Sequence, residues 1–410
     1  MKKLIIPSYL FSSLPIFLVT GPFLPDLILS ITTLFVIYLA IKSKEYEIFN
    51  NFFFKFFILI SFSFLISSIL SDNILFSFES SLFYFRFILF AIAIYFLCHQ
   101  TNFLKNLFII MFFSMLIVGV DAFWEFIFDK NFFGSKTDDP ARIGGLFGDE
   151  LILGSYLARL LPILCGLYLY FYYQNNSLDK LFYLFLVFLY VIIFLSGERT
   201  AFLLSTLFFF IFLTKYSNIK SIIIFCVIPI ILITFFLSVN PIVKDRMLDS
   251  TINSIKISYS EENQFLPYPY DNFLKTSSNM FKDNIIFGVG PKMFRKKCSV
   301  DDYGVNSKSC NTHPHNLYFQ LFAETGLVGA SIFILIYLYI SKCLYTLFKK
   351  KIKTFNPNDH ISFFMLTSLF INFWPLIPSG SFFNNWINVL YFLPLGIYLF
   401  SSSKSKLNEK

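Results

Sequence analysis

A very short polar turn between two apolar stretches carries the first candidate for chemistry. Ser196, Gly197, Glu198, Arg199 and Thr200 are all that separates the two stretches. The glycine permits a tight turn, which leaves the arginine at the boundary of the apolar region. A guanidinium presents a rigid fork of donors that suits a phosphate or a diphosphate. The alternative is that an arginine at this boundary only extends toward lipid headgroups.

Three further arginines are candidates for the same anionic site. Arg86 and Arg142 lie near the same side as Arg199, whereas Arg159 lies inside an apolar run. A charge at the centre of a membrane helix costs roughly 2.5 to 3.5 kcal/mol, so such an arginine faces a cavity or a partner rather than lipid. Arg86 and Arg142 are the stronger candidates. The alternative is a set of structural ion pairs with the nearby carboxylates Asp149, Glu150 and Glu198.

A histidine-containing segment is the most specific feature of the sequence. His315, Asn316, Gln320 and Glu324 follow a near i, i+4 rhythm, so a helix that begins near Pro314 would place them in one polar stripe. We expect this stripe to face a site at the membrane surface. A histidine there can take a proton from an attacking hydroxyl or orient it, because its ordinary pKa is near neutrality.

No metal or cofactor is predicted from the sequence. His313 and His315 are two possible metal ligands, but a complete site needs further ligands that the neighbouring residues do not offer. We find no Walker, dinucleotide-binding or zinc-cluster spacing, so the chain has no ATP-driven motor of its own.

The elements that must position these residues are membrane helices. The chain is 56% hydrophobic and 14% charged, with a mean hydropathy of +0.67, which excludes a soluble fold. Runs of spanning length predict about twelve transmembrane helices in an all-α, polytopic single membrane domain over residues 1–410. The runs are 4–20, 23–41, 52–70, 81–98, 103–121, 150–171, 181–196, 199–214, 221–239, 317–341, 361–377 and 386–401.

Basic residues predict the orientation of these helices. Lysines concentrate in one alternating set of short loops, and the opposite short loops at 21–26, 71–80 and 378–385 contain no Lys or Arg. By the positive-inside rule, both termini are cytoplasmic and residues 240–316 form a large periplasmic loop between the ninth and tenth helices. The net charge of +8 therefore reflects topology, and we expect no nucleic-acid partner.

The large loop contains two features of its own. Its first part, from Pro241 to Ile257, has apolar residues at near-helical spacing and is predicted to lie on the membrane surface. Cys298 and Cys310 lie together in its polar part, where an oxidising compartment favours a disulfide.

Four segments together resemble the O-antigen ligase and polymerase superfamily. They are the GERTAF turn, the RIGGLFGDELILGSYL stretch, the IIFGVGPKMF segment and the HPHNLYFQLFAETGLVG run. The resemblance spans roughly residues 80 to 335 and lies nearer the ligase-like members.

The resemblance implies a C-type glycosyltransferase of the bacterial inner membrane that needs neither a metal nor a nucleotide sugar. Such an enzyme takes a glycan from undecaprenyl diphosphate at the periplasmic face. His315 matches the essential loop histidine, and Arg199, Arg142 and Arg86 match arginines proposed to hold the diphosphate. Asn316, Gln320 and Glu324 are expected to complete the substrate-binding stripe.

The acceptor is left open between several possibilities. A ligase would use lipid A-core, a polymerase would extend a second lipid-linked glycan, and a third branch glycosylates proteins. We favour the ligase because one dominant outer loop ends in His-Asn, whereas polymerases often have two comparable outer loops. A transporter or flippase is the alternative from another class, but the polar residues concentrate at the outer face rather than at mid-membrane.

Overall fold

The computed structural model describes residues 2–172, 179–216, 219–260 and 266–408, and it is helical throughout, with no strand in these ranges. The first part of the chain forms α1 Ile5–Ser12, α2 Leu14–Phe17, α3 Phe23–Lys42, α4 Phe52–Ile69, α5 Ile74–Ser81, α6 Arg86–Gln100 and α7 Phe103–Phe128. The middle part forms α8 Leu153–Tyr172, α9 Lys180–Leu195, α10 Arg199–Tyr216, α11 Ile219–Val239, α12 Pro241–Lys244 and α13 Ser250–Ser260. The last part forms α14 Tyr270–Asp283, α15 Phe294–Lys297, α16 Leu317–Lys349, α17 Pro357–Asn372 and α18 Asn385–Asn408.

Nine of the described helices are long and apolar enough to cross a membrane. A tenth is obtained if Val227–Val239 and Pro241–Lys256, which meet at a bend of 115°, form one broken span. The expected polytopic, all-helical fold is confirmed, and each of the twelve apolar runs contains helix. The described residues thus contain nine or ten helices of spanning length where about twelve were expected, and the difference includes shorter apolar helices. Lys180–Leu195 and α17 have 16 residues each and so extend only about 24 Å at 1.5 Å per residue.

The phenylalanine-rich helices divide into enclosed and peripheral ones. α8 and α18 are the most enclosed of the candidate spans and pack with α6 and α17 at the centre of the bundle. Peripheral helices leave large apolar side chains exposed, among them Phe62, Phe113 and Phe210. Apolar side chains on the outside of a bundle require lipid rather than water around them.

Residues 240–260 and 266–316 are folded rather than an open loop. They contain α12 to α15, and a small hydrophobic core around Phe273, Met280 and Phe294 that also includes Ala323 of α16. A disulfide joins Cys298 to Cys310. The stretch predicted to be an amphipathic surface helix is helical from Pro241 to Ser260, with one π-helical turn between α12 and α13.

This segment is joined to α16 through backbone hydrogen bonds at a break in the helix. Gly326 has φ 61 and ψ −164, which interrupts the helix. Gly290 N donates to Glu324 O at 2.9 Å, and Leu327 N donates to Ile285 O at 2.7 Å. A Cβ on Gly288 would lie 2.5 Å from the backbone of α16, so the close approach requires glycine there. The break therefore fixes the folded segment next to the helix that begins after His315.

Candidate functional site

A polar cavity of about 500 Å³ lies where the N-terminal ends of α8, α10 and α16 meet. It is lined by basic and acidic groups at one side and by the histidine segment at the other. Its charged and titratable lining residues are Arg142, Arg159, Arg199, Arg246, Glu150, Glu198, Tyr270, His313 and His315. Four guanidinium groups against two carboxylates leave the cavity cationic, so it suits an anionic ligand.

The turn before α10 holds two of these arginines together. Gly197 adopts φ 71, in the left-handed region that favours glycine, and the chain then enters α10 at Arg199. The guanidinium of Arg199 donates to the carbonyl oxygen of Arg246 through Nη2 at 2.7 Å and through Nε at 3.2 Å. Arg246 Nε in turn donates to Gly197 O at 2.9 Å, and its Nη1 lies 3.3 Å from Asp139 Oδ2. The two guanidinium groups are thus fixed by backbone contacts.

Arg142 reaches the cavity from the loop between α7 and α8. Its Nη2 donates to Leu151 O at 2.5 Å, and its buried Nε has no protein partner among the described residues. Burial lowers the pKa of Arg142, while the charge of Glu198 raises it. A desolvated guanidinium with an unused donor gains from an anion brought into the cavity.

Glu198 caps the beginning of α8 rather than pairing with Arg199. Its carboxylate accepts from Gly154 N at 2.6 Å, from Ser155 N at 3.2 Å and from Ser155 Oγ at 2.8 Å. Burial raises the pKa of Glu198, and the hydrogen bond from Ser155 and the charge of Arg142 lower it. Glu198 therefore joins α8 to the turn that carries Arg199, and the guanidinium of Arg199 remains bound to a neutral carbonyl.

The histidine pair forms the opposite wall. His315 has φ 53, which is unusual for a residue other than glycine, and its carbonyl accepts from Ser379 N at 2.9 Å. The rings of His313 and His315 lie 4.2 Å apart between centroids, and His313 Nε2 is 3.2 Å from Ser379 O. Burial, together with the proximity of His315, lowers the pKa of His313 to about 4. Burial also lowers the pKa of His315, so both rings are neutral at pH 7.

Arg159, the weakest arginine candidate of the sequence, lines the deep end of this cavity. Its side chain is only 3% exposed and donates through Nη1 to Asn372 Oδ1, while its Nε has no partner among the described residues. A buried guanidinium with an unpaired donor at the base of a cationic cavity is positioned to bind an anion there.

Several residues of the predicted site lie elsewhere. Arg86 forms an ion pair with Asp26 at 2.9 Å and stacks over Phe87, and it does not line the cavity. Arg86 binds a carboxylate that lies 60 positions earlier in the chain, and the local sequence around Arg86 could not show this contact.

The polar stripe on α16 turns inward after its first turn. Gln320 and Glu324 are 1% and 0% exposed. Gln320 Oε1 accepts from Phe382 N at 2.8 Å, and Glu324 Oε1 accepts from Phe294 N at 3.0 Å. Asn316 caps α16 by accepting from Tyr318 N at 2.9 Å. Gln320 and Glu324 therefore do not line the cavity, and Asn316 holds the first turn of α16. The contact of these three residues with substrate stays a prediction.

Two lining residues were not identified from the sequence. Arg246 lies in the stretch that was interpreted only by its apolar spacing, and Tyr270 begins α14 after a proline-rich segment. Neither residue belongs to a local motif that signals a site. The one available signal for Arg246 was that it is a basic residue on the polar face of a predicted amphipathic helix.

A second cavity of about 430 Å³ adjoins the first one. The two share Tyr270, His315 and Pro378, but the second is largely apolar. Its other lining residues are Leu266, Pro267, Asn316, Tyr318, Phe319, Pro375 and Leu376. A cationic cavity that shares part of its wall with an apolar one suits a ligand that has an anionic head and an apolar chain.

The described helices define a multi-pass membrane protein. Its two adjoining cavities form a cationic site beside a histidine pair. Residues 184–334 match the family described as O-antigen ligase. The match includes Arg199, Arg246, Tyr270 and His315, and it confirms the resemblance to the O-antigen ligase and polymerase superfamily. Arg142 and Arg159 precede the matched segment. No curated protein shows a significant match to the chain.

Proposed function

We propose that this protein transfers a glycan from undecaprenyl diphosphate to an acceptor hydroxyl at the periplasmic face of the bacterial inner membrane. The observation that supports this most is that four arginines and a neutral histidine pair line one cavity. A diphosphate leaving group already carries the energy for transfer, so the protein needs to supply position and charge.

In this proposal Arg199, Arg142, Arg246 and Arg159 hold the diphosphate of the donor. The adjoining apolar cavity receives the first part of the polyprenyl chain. The acceptor oxygen forms a bond to the anomeric carbon while the bond from that carbon to the diphosphate oxygen breaks. His315 takes the proton of the hydroxyl, and undecaprenyl diphosphate leaves with its negative charge stabilised by the arginines.

His313 acts in this scheme as a positioning residue. Its Nδ1 is 2.9 Å from Thr312 Oγ1 and its Nε2 is 3.2 Å from Ser379 O, so the ring is held beside His315. The neutral ring of His313 lies 4.2 Å from the ring of His315 between centroids, so it places no positive charge beside the proton acceptor.

The favoured acceptor is lipid A-core, which makes the protein an O-antigen ligase. A polymerase would use a second lipid-linked glycan, and a protein O-oligosaccharyltransferase would use a protein hydroxyl. The long folded segment before His315 supports the ligase, because it is the one dominant loop outside the membrane in the proposed topology.

The test uses purified protein, a lipid-linked glycan donor, and lipid A-core or a second lipid-linked glycan as acceptor, with a chelator present throughout. Product on lipid A-core alone supports the ligase, and lengthened carrier-linked glycan supports the polymerase. We expect His315→Ala to abolish transfer without lowering the protein level. His99→Ala serves as the matched control, because His99 lies in the last turn of α6 and does not line the cavity. Full activity of His315→Ala with either acceptor would contradict the mechanism, and loss of wild-type activity with chelator would indicate a metal.

A further inference from the structure

A second group of basic side chains lies outside the cationic cavity, on the segment that precedes the disulfide. Lys292, Arg295 and Lys296 form this outer basic cluster, and none of them lines the first cavity. Lys296 Nζ lies 5.1 Å from the ring centroid of Phe76 in α5. Lys297, the next residue, pairs with Asp72 at 2.5 Å, just after α4. The cluster therefore lies against the outer ends of α4 and α5.

The backbone of this cluster is held rigidly. Phe294 N donates to the buried carboxylate of Glu324 at 3.0 Å, and Met293 N donates to Gly290 O at 3.1 Å. Lys292 adopts φ 61, a left-handed conformation that is uncommon for lysine. Such outliers persist only when the surrounding structure imposes them, and they concentrate at functional sites.

None of the three basic groups has a carboxylate within ion-pair distance in the described part of the chain. Lys297 is neutralised by Asp72 and Asp302, but no carboxylate lies within ion-pair distance of Lys292 or Arg295 among the described residues. Lys292 is partly buried, and burial followed by the charge of Arg295 lowers its pKa, while the more distant carboxylates of Glu79 and Glu324 raise it. An unpaired, partly desolvated ammonium beside a guanidinium gains from a bound anion.

The cluster is separate from the cationic cavity but close to the histidine pair, because the ring centroid of Phe273 lies 6.4 Å from that of Phe294 and 5.5 Å from that of His315. Arg295 is near enough to His313 that its charge contributes to the lowered pKa of that ring, and it acts in the same way on Lys292. Glu324, which holds the cluster, is seven residues after the start of α16, or about 10 Å along the helix. A substrate at His315 therefore lies near the arginines of the cavity and near the charge of Arg295.

We propose that the outer basic cluster binds a phosphate on the headgroup of a glycolipid acceptor. This proposal rests on the proposed glycan transfer, in which the diphosphate of the donor occupies the first cavity. The acceptor then reaches His315 with its phosphate outside the cavity, where Lys292 and Arg295 recognise it. A phosphate-bearing lipid, rather than a neutral protein hydroxyl, is the acceptor that this arrangement selects.

Binding measurements on the full-length protein in detergent test the cluster without relying on transfer. Native mass spectrometry would follow binding of phosphorylated lipid A, its dephosphorylated form, phosphatidylglycerol and undecaprenyl diphosphate. The test variant is Lys292→Gln with Arg295→Gln. The matched control is Lys282→Gln with Lys308→Gln, which removes two exposed lysines of the same folded segment.

The wild-type protein should bind phosphorylated lipid A about tenfold or more tightly than the dephosphorylated form, as expected for lost charge-assisted hydrogen bonds. The test variant should lose this preference and keep its affinity for undecaprenyl diphosphate, which also shows that it is folded. The charge-keeping variant Lys292→Arg with Arg295→Lys should retain most of the preference.

The proposal would be overturned if the wild-type protein showed no preference for phosphorylated lipid A, or if the test variant kept that preference. It would also be overturned if the control variant lost the preference equally, or if the test variant lost phosphatidylglycerol binding to the same extent. The last would show that the cluster only meets the membrane surface. An equal loss of undecaprenyl diphosphate binding would likewise reject it, because the cluster would then belong to the donor site. If glycan transfer itself fails, the phosphate preference is still measured, so the two proposals fail separately.

Discussion

The guanidinium of Arg199 donates two hydrogen bonds to the backbone carbonyl of Arg246, at 2.7 and 3.2 Å. Arg246 returns a hydrogen bond from its Nε to Gly197 O at 2.9 Å. This exchange joins the turn before α10 to the helical stretch that follows α11. Arg199 is thereby fixed by a neutral acceptor and keeps its positive charge available for a ligand, whereas Arg246 also pairs with Asp139.

We predict that Arg199→Lys lowers kcat/KM for transfer by about 10- to 100-fold, because one ammonium cannot reproduce the two-point contact with the Arg246 carbonyl. Transfer kinetics with the lipid-linked donor measure this effect. Arg86→Lys is the matched control, since Arg86 pairs with Asp26 away from the cavity. Equal loss in the two variants would mean that arginine replacement acts through folding and would remove the special role of Arg199.

Replacement of Glu198 should act mainly through the start of α8. Glu198→Ala leaves the N–H groups of Gly154 and Ser155 without their acceptor, which should cost about 1 to 2 kcal/mol of stability, as for loss of a helix cap. Glu198→Gln keeps one acceptor oxygen and should lose less. Thermal unfolding in detergent measures both variants. A Glu198→Ala protein as stable as the wild type would show that this contact does not hold α8 to the turn.

The histidine pair predicts how transfer depends on pH. Burial lowers the pKa of His315 from its ordinary value of 6.5, and the pKa of His313 is lowered to about 4. The neutral, proton-accepting form of His315 therefore persists below pH 6.5, and transfer should decline only at a pH under that value.

A pH profile of kcat/KM in the wild-type protein measures this. The same depressed pKa values mean that the unfolded chain takes up protons before the native protein does, so stability should also fall as the pH drops below 6.5. A midpoint of activity above pH 6.5 would contradict a buried, neutral His315.

The disulfide should stabilise the segment that carries the outer basic cluster. Cys298 is 1% exposed and joins Cys310 across a sequence separation of 12, for which loop-entropy estimates give roughly 3 kcal/mol, depending on the model used. After alkylation of the protein in its native membrane, mass spectrometry should find Cys298 and Cys310 unmodified, because the disulfide joins them. Cys343 should be alkylated and serves as the internal reference. Free thiols at both positions would refute the bond, and an unchanged melting temperature in Cys298→Ser with Cys310→Ser would refute its contribution.

Sequence patterns located the residues of the site that belong to local motifs. Arg199 follows a glycine turn and His315 precedes an evident helix, so residue type and spacing were sufficient to identify both. Helical spacing also placed Gln320 and Glu324 on the face of His315. It could not show that these two side chains accept hydrogen bonds from the backbone N–H groups of Phe382 and Phe294.

Long-range contacts account for the remaining differences. Arg246 contacts Arg199 across 47 positions, and Arg86 finds Asp26 across 60. Periodicity reports only which residues share a face of one element, whereas these contacts depend on how distant helices pack. The bundle was predictable from apolar runs, but the ends of its helices were not, because the length of a run does not fix where its helix ends.

The proposed topology follows from the two ends of α10 and α16. α10 begins at Arg199 beside the cavity and ends near Lys215, whose Nζ donates to Phe348 O and Lys350 O at the far end of α16. The lysines around Lys350 therefore lie at the opposite end of the bundle from His315. Because basic residues remain on the cytoplasmic side, the cavity should face the periplasm.

Reporter insertions at Ser258 and Asn356 test this orientation, since they lie before and after α16. Alkaline phosphatase should be active at Ser258 and inactive at Asn356, and a fluorescent cytoplasmic reporter should show the reverse. An insertion at Glu45, in the turn between α3 and α4, provides a second cytoplasmic reference. If Ser258 and Asn356 reported the same side, α16 would not cross the membrane. A donor diphosphate held at the periplasmic face could then not reach His315, because the histidine would lie on the wrong side of the bilayer.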